Sequence, residues 1–183
     1  IRDRYTGDTT ISAGTLKLTG GLSTSTDVVM TNSAVWDLQV GQTVASLTMA
    51  SGNSITNTLG TSSLTVSGAS TLANTITTTG VQTYNGAVTL GADTTLTTTN
   101  SLVWFKSTVG NSSARALSIS SGSGGATFAN TVGASTALGA LSLTTTGTTT
   151  MSGAVSAASL SSGAGSTAIN GGSVTTTGVQ TYN

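Results

Sequence analysis

The sequence contains no histidine, cysteine, proline or glutamate, and only ten of its 183 residues are charged, five basic and five acidic. Each absence closes a route. Without imidazole, thiol or Glu carboxylate there is no His general base, no Cys nucleophile, no His/Cys zinc site and no disulfide. At 5% charged, against about 25% in an ordinary domain, and with no net charge, the chain lacks the clustered Lys and Arg that release counterions from nucleic acid. Neither nucleic acid nor an anionic membrane surface is an expected partner. No apolar run approaches the roughly 18 residues of a membrane-spanning helix, so direct membrane insertion is not expected either. No cofactor is expected.

What is present is narrow: 41 Thr, 28 Ser and 24 Gly make up about half of the chain. Hydrophobic residues still account for 36% and mean hydropathy is +0.22, so there is apolar surface to bury and low-complexity disorder is the weaker reading. Seven of the ten charges lie between Arg2 and Asp37, which hints at a boundary within a single unit of residues 1–183. The first residue is Ile1, with no basic start and apolar core behind it, so any secretory signal is expected upstream or already removed. Asn183 falls inside a repeated motif, and the chain is expected to be a fragment of a longer repetitive polypeptide.

Repeats carry the fold. Residues 76–85 (ITTTGVQTYN) recur as residues 174–183 (VTTTGVQTYN), nine identities in ten at an offset of 98. A looser copy starts at Leu143 and places Met151 where Tyr84 stands and Val155 where Val88 stands. A large apolar residue followed four positions later by Val occurs at Tyr84/Val88, Phe105/Val109, Phe128/Val132 and Met151/Val155, and Tyr182 opens another; the steps are 21, 23, 23 and 31 residues. A second landmark, an aliphatic residue leading a hydroxyl run, begins at Ile76, Leu96, Leu117, Leu141 and Val174. A unit of roughly 20 to 23 residues is too short for helical repeats of about 33 or more. Alternating runs such as Thr15-Leu16-Lys17-Leu18 and Ala87-Val88-Thr89-Leu90 have the period of two that belongs to strands. The abundance of β-branched Thr favours pleated strands over helix. The expected fold is an all-β solenoid of eight or nine coils stacked about 4.8 Å apart, forming a rod on the order of 40 Å long.

The composition then reads as packing. Val, Ile, Leu and Ala fill a thin core, and Tyr84, Phe105, Phe128 and Met151 are expected to stack in one apolar file. Outward positions must tolerate like neighbours above and below, which favours Thr, its methyls packing and its hydroxyls bonding to one another, over Lys and Glu. Gly is expected at corners for positive φ, and Pro is excluded because every strand is internal.

Residues 5–22 (YTGDTTISAGTLKLTGGL), followed by residues 33–38 (SAVWDL) and 42–47 (QTVASL), resemble the autotransporter-associated β-strand repeat of Gram-negative surface proteins. Residues 76–96 (ITTTGVQTYNGAVTLGADTTL) are similar to repeats of filamentous-haemagglutinin-like adhesins. The resemblance divides the chain into an autotransporter-like region, residues 1–70, and haemagglutinin-like repeats, residues 71–183. It implies a right-handed parallel β-helix that is secreted or displayed at the bacterial outer membrane and acts in adhesion, aggregation or biofilm matrix. A host or neighbouring-cell receptor or glycan is the implied partner, and end-to-end self-association into filaments is the alternative.

No catalytic or metal site is expected. Asp3, Asp8, Asp27, Asp37 and Asp93 are the only carboxylates, and cleaving a sugar chain needs an acid and a base together. The five are scattered, Asp37 behind Trp36 and Asp93 in a corner (Gly91-Ala92-Asp93) where it caps backbone N–H groups. Lys17 and Lys106 have no Ser-x-x-Lys around them to activate a serine. Residues 121–125 (SGSGG) lack the Lys of a phosphate loop and the Asp of a calcium-binding turn and read as a flexible corner. Trp36, Trp104 and Phe105 are candidates for stacking on sugar rings; Phe105 belongs to the core series, which turns Trp104 outward. Asn111-Ser112-Ser113 matches a glycosylation acceptor. The threonine runs 77–79, 97–99, 144–146, 148–150 and 175–177 form the one rival surface, an array of methyls and hydroxyls able to order water and bind ice. Unequal coil lengths and intruding Ser count against it.

Overall fold

The computed structural model describes residues 7–183, which form strands, turns and bends with no helix among them. Every strand pairing is parallel, and the chain winds as a solenoid of about nine turns. Each complete coil has three faces. Face I begins with Thr9–Ile11 and continues through Asp27–Met30 and Ser46–Met49. Face II begins with Thr15–Leu18, followed by Val35–Leu38 and Ser54–Thr56. Face III is a seven-stranded sheet that runs from Gln42–Val44 to Thr167–Ile169. From Ser70–Thr77 onward, single strands such as Val88–Thr97 bend from face I into face II, joining those faces in one sheet of 14 strands.

The strands form because apolar and hydroxyl residues alternate. In Leu64–Val66, Gln82–Tyr84, Val103–Phe105 and Ala126–Phe128 the outer residues are buried and the central one is half-buried, as a period of two requires. Face III therefore carries an inward file of Val44, Val66, Tyr84, Phe105, Phe128, Met151 and Ile169, each opposite the next. Tyr84, Phe105 and Phe128 are stacked with centroids 5.1 Å apart and interplanar angles of 14° and 8°. The strand repeat of about 4.8 Å leaves little more than one ring thickness between coils, so the rings lie nearly parallel. One apolar cluster extends from Ile11 to Leu160, and the ladders cross residue 70 without a break.

Coil length is looser than the sequence implies. On face I the paired residues Thr9, Val28, Leu47, Ser70, Val88, Val109, Val132, Val155 and Val174 are 18 to 23 apart. The 31-residue step from Met151 to Tyr182 is not an insertion. It holds a regular coil in which Ile169 pairs with Met151, and Tyr182 lies beyond the last strand, 44% exposed. Extended corners lie elsewhere, beginning with residues 91–93, which stand opposite the single residue Ala73. Residues 112–116 replace 91–93, and residues 133–137 bulge opposite the single residue Ser156.

The two copies of the ten-residue repeat do not occupy the same part of the coil. Ile76 and Thr77 end a face II strand and Gln82–Tyr84 lies on face III, whereas Val174–Thr176 lies on face I and Gln180–Thr181 on face II. The local bonding is nevertheless the same. Thr78 Oγ1 donates to Gly80 O at 2.7 Å and Thr176 Oγ1 to Gly178 O at 2.8 Å. Gln82 Nε2 donates to Ile76 O and Thr78 Oγ1, and Gln180 Nε2 donates to Val174 O and Thr176 Oγ1. Tyr84 Oη donates to Gln82 Oε1 at 3.1 Å and Tyr182 Oη to Gln180 Oε1 at 3.0 Å.

Two packing expectations are corrected. Threonine hydroxyls do not bond to one another along the sheets; among the described residues the only hydroxyl-to-hydroxyl bond is Ser23 to Ser25. At the corner between faces II and III they donate to main-chain carbonyls, as Thr78, Thr98 and Thr145 do. Glycine, besides supplying positive φ at Gly122 and Gly125, is required at corners without it. A Cβ on Gly147 would overlap the Ser123 carbonyl of the coil below, and one on Gly86 would overlap the Gly68 backbone.

Candidate functional site

The carboxylates that the structure describes hold corners and coils together. Asp37 is almost fully buried on face II and accepts from Thr58 Oγ1 at 2.6 Å, Thr58 N–H at 2.9 Å and Gln39 Nε2 at 3.0 Å. Burial opposes its charge, but the Thr58 and Gln39 hydrogen bonds and the cross-strand Lys17 outweigh it and hold the carboxyl below its ordinary range. Asp93 accepts from Ala116 N–H of the next coil at 2.9 Å, and Asp27 accepts from Ser46 Oγ. Asp8 is exposed, and Asp3 lies outside the described residues. Among the described residues no three potential metal-ligating side chains come together.

The aromatic candidates separate by face. Trp36 and Phe105 are fully buried, while Trp104 sits outward on face III between Thr83 and Thr127, half-buried. Lys106 Nζ lies 4.3 Å from the centre of the Trp104 ring, a cation–π contact that already occupies a stacking surface. Residues 121–125 do form a corner, but a packed one. A Cβ on Gly124 would overlap Ser101, and one on Gly125 would overlap Thr148 O.

The threonine runs are not the flat arrays that their sequence suggests. Their central residues Thr78, Thr98 and Thr145 turn inward and are at most 5% exposed. A different array appears on face II, where two outward files run along the solenoid. One passes through Ser54, Thr75, Thr95, Ser118 and Ser142, and the other through Thr77, Thr97, Ser120 and Thr144. Changes in coil length are absorbed mostly at corners and on face I, so these files remain in register.

A second feature was not visible as a motif. On face I the inward file reads Ile11, Met30, Met49, Leu72, Leu90 and then Asn111. Asn111 is 9% exposed, and neither its Nδ2 nor its Oδ1 has a hydrogen-bond partner. A buried amide left this way costs about 1–3 kcal/mol. Its side chain is inside the coil, which removes it as a glycosylation acceptor. It borders one of two shallow depressions on face I, this one reaching from Thr89 to Ser135 and the other from Thr131 to Thr175, beside the points where residues 112–116 and 133–137 leave the ladder.

Fold and surface together define a β-solenoid repeat protein with a hydroxyl-lined exterior. Protein-family models, curated proteins and solved structures give no match to this chain.

Proposed function

We propose that the chain is a non-enzymatic structural and adhesive stalk of a secreted bacterial surface protein, of the kind built from autotransporter-associated or filamentous-haemagglutinin-like repeats. The observation that carries this reading is the unbroken parallel ladder. Nine levels on face I are hydrogen-bonded coil to coil above a single stacked core file. A load along the rod is shared by many backbone bonds, and repeats of this type respond coil by coil. The exterior, nearly free of charge and rich in hydroxyls, stays wetted without drawing charged molecules to it. Pulling the chain by its ends tests the reading. The expected record is a stepwise release of about 70 Å of chain per coil, from roughly 20 residues at about 3.4 Å each. Collapse at negligible force in one step contradicts a load-bearing role. Display between an outer-membrane anchor and a reporter, scored by cell aggregation, tests the adhesive part.

A second reading, ice binding, is favoured by one observation: the paired files on face II keep register over successive coils despite unequal coil lengths. Thr75/Thr77 and Thr95/Thr97 present two hydroxyls and two methyls per rung, and the rungs repeat at the strand spacing of about 4.8 Å. Thermal hysteresis of the purified chain, lost on Thr95→Lys, supports it; no hysteresis at high protein concentration removes it.

A further inference from the structure

We propose that residues 130–137 are a release strap on face I, which lifts off the rod while the coils on either side stay wound. Elsewhere on this face neighbouring coils meet over runs of two to four residue pairs. Here the strap is held by Val132 alone, which meets Val109 on one side and Val155 on the other as single-residue bridges, and the ladder resumes only at Leu138, opposite Ala157. Four backbone hydrogen bonds tie it to its neighbours. Val132 N–H donates to Ala154 O and Gly133 N–H to Val109 O, while Val109 N–H donates to Thr131 O and Ser156 N–H to Val132 O. Among the described residues no hydrogen bond reaches residues 134–137, and Ala134 and Ser135 are exposed.

The closed strap carries a cost that lifting returns. Thr131, Ala134 and Ser135 border the same depression as Asn111, whose Nδ2 and Oδ1 are buried without partners. Moving the strap aside admits water to both atoms, so the penalty of the unmade hydrogen bonds is recovered on opening. Gly133, at φ 67°, turns the chain outward directly after the anchor, a bend that side chains other than glycine rarely adopt. Against opening stand the four bonds and the Val132 side chain, which is fully buried in the closed form. A segment held by so few backbone bonds and one apolar side chain belongs to the low end of the range of local stabilities. The other faces show no such gap. Leu117–Ser120 pairs with Leu141–Thr144 on face II, and Ala126–Phe128 with Thr149–Met151 on face III. Opening is therefore confined to face I, where it bares Val109 N–H and O on one coil and Ala154 O and Ser156 N–H on the other, a slot one strand wide. The proposal does not rest on the stalk reading, since the opening is an equilibrium of the isolated chain without load.

Native-state hydrogen exchange, followed by NMR on the full 183-residue chain, tests it. The amides of Val109, Val132, Gly133 and Ser156 lose their partners together, so they are expected to share one opening free energy that changes little in low urea. Their protection factors should lie about tenfold or more below those of Val88 and Val155, which donate across the adjoining coil interfaces to Thr108 O and Ser173 O. Asn111→Leu should raise the four protection factors by the same factor as the folding constant of the chain, about tenfold or more, because residue 111 is solvated in the lifted state as it is in the unfolded one. Gly133→Ala serves as the second variant. Its Cβ would overlap Ser156 O, so it should drive the strap off, cancelling the protection of Val109, Val132 and Ser156 while Val88 and Val155 stay protected. The proposal is overturned if the four amides exchange no faster than Val88 and Val155, or if Val155 is less protected than Val132, which is fraying from the last coil. It is also overturned if Asn111→Leu stabilises the chain without slowing the four amides, or if Gly133→Ala loses all protection at once.

Discussion

Truncating Phe105 to alanine tests the axial packing directly. Phe105 is completely buried, and its ring lies 5.1 Å from the Tyr84 ring on one side and 5.1 Å from the Phe128 ring on the other. Removing a buried Phe costs about 3–5 kcal/mol through lost transfer free energy and the cavity left behind. Two features put this site in the upper half of that range. Both ring partners lose a stacking contact of about 0.5–1.5 kcal/mol. The hole cannot close easily either, because the flanking strands are pinned on both sides by Gln82↔Val103 and Val103↔Ala126 pairing. The expected loss is about 4–5 kcal/mol, about a quarter or more of the whole stability of an ordinary domain. Trp104 is the internal control: it is the preceding residue on the same strand, faces outward, and sits half-buried between Thr83 and Thr127 with Lys106 over its ring. Trp104→Ala should cost about 1 kcal/mol or less. Urea unfolding followed by far-ultraviolet circular dichroism reads both values. Equal costs for the two variants, or a Phe105→Ala loss below about 1 kcal/mol, would refute an inward stacked file.

Other expectations follow from the same geometry. Gly147→Ala places a methyl against the Ser123 carbonyl and should cost about 2 kcal/mol or more, whereas Gly110→Ala enters open space and should leave the melting temperature nearly unchanged. Gln82→Ala strands the buried Tyr84 hydroxyl and removes a side-chain donor from the carbonyls of Ile76 and Thr97, costing about 1–3 kcal/mol, while Gln180→Ala in the exposed copy should cost less than about 0.5 kcal/mol. Similar losses for these two variants, measured by urea titration, would contradict the difference in burial. The folded-state pKa of Asp37 lies below its unfolded value, so its contribution is complete above about pH 4 and fades as pH falls through the depressed value. An acid unfolding series should therefore show a shallower fall for Asp37→Asn than for the parent chain; parallel curves would remove Asp37 as a source of acid sensitivity.

Much of this architecture was legible because a narrow solenoid repeats its constraints every coil. The spacing of Tyr84, Phe105, Phe128 and Met151 to the following Val residues located both the stacked file and the face I ladder, and the pairings of Phe128 with Met151 and of Val132 with Val155 follow it. Past Met151 the landmark failed, since Ile169 occupies the file without a large ring and without Val four positions later. The threonine runs misled for a related reason. A run of three hydroxyls looks like a surface, yet at a corner the middle side chain swings inward to satisfy carbonyls that the turn leaves unpaired. Asn111 was within reach: it stands two residues after Val109 as Leu90 stands two after Val88. What sequence alone did not supply was that both amide atoms lack partners, which depends on how the two extended corners pack around it. Glycine requirements were hidden similarly, because the clash at Gly86 or Gly147 arises from a coil some twenty residues away.

The repeated decapeptide has a wider consequence. The side-chain hydrogen bonds that its two copies share are internal, and the same piece turns the chain between different pairs of faces, so it behaves as a portable hinge whose use does not depend on coil phase. Duplicating or deleting such a stretch need not return the chain to the same rung position, provided the next strand finds a free ledge. Lengthening by unequal recombination then carries little risk of misfolding. Counting copies of the decapeptide in a related gene would therefore say little about how tall the encoded rod stands.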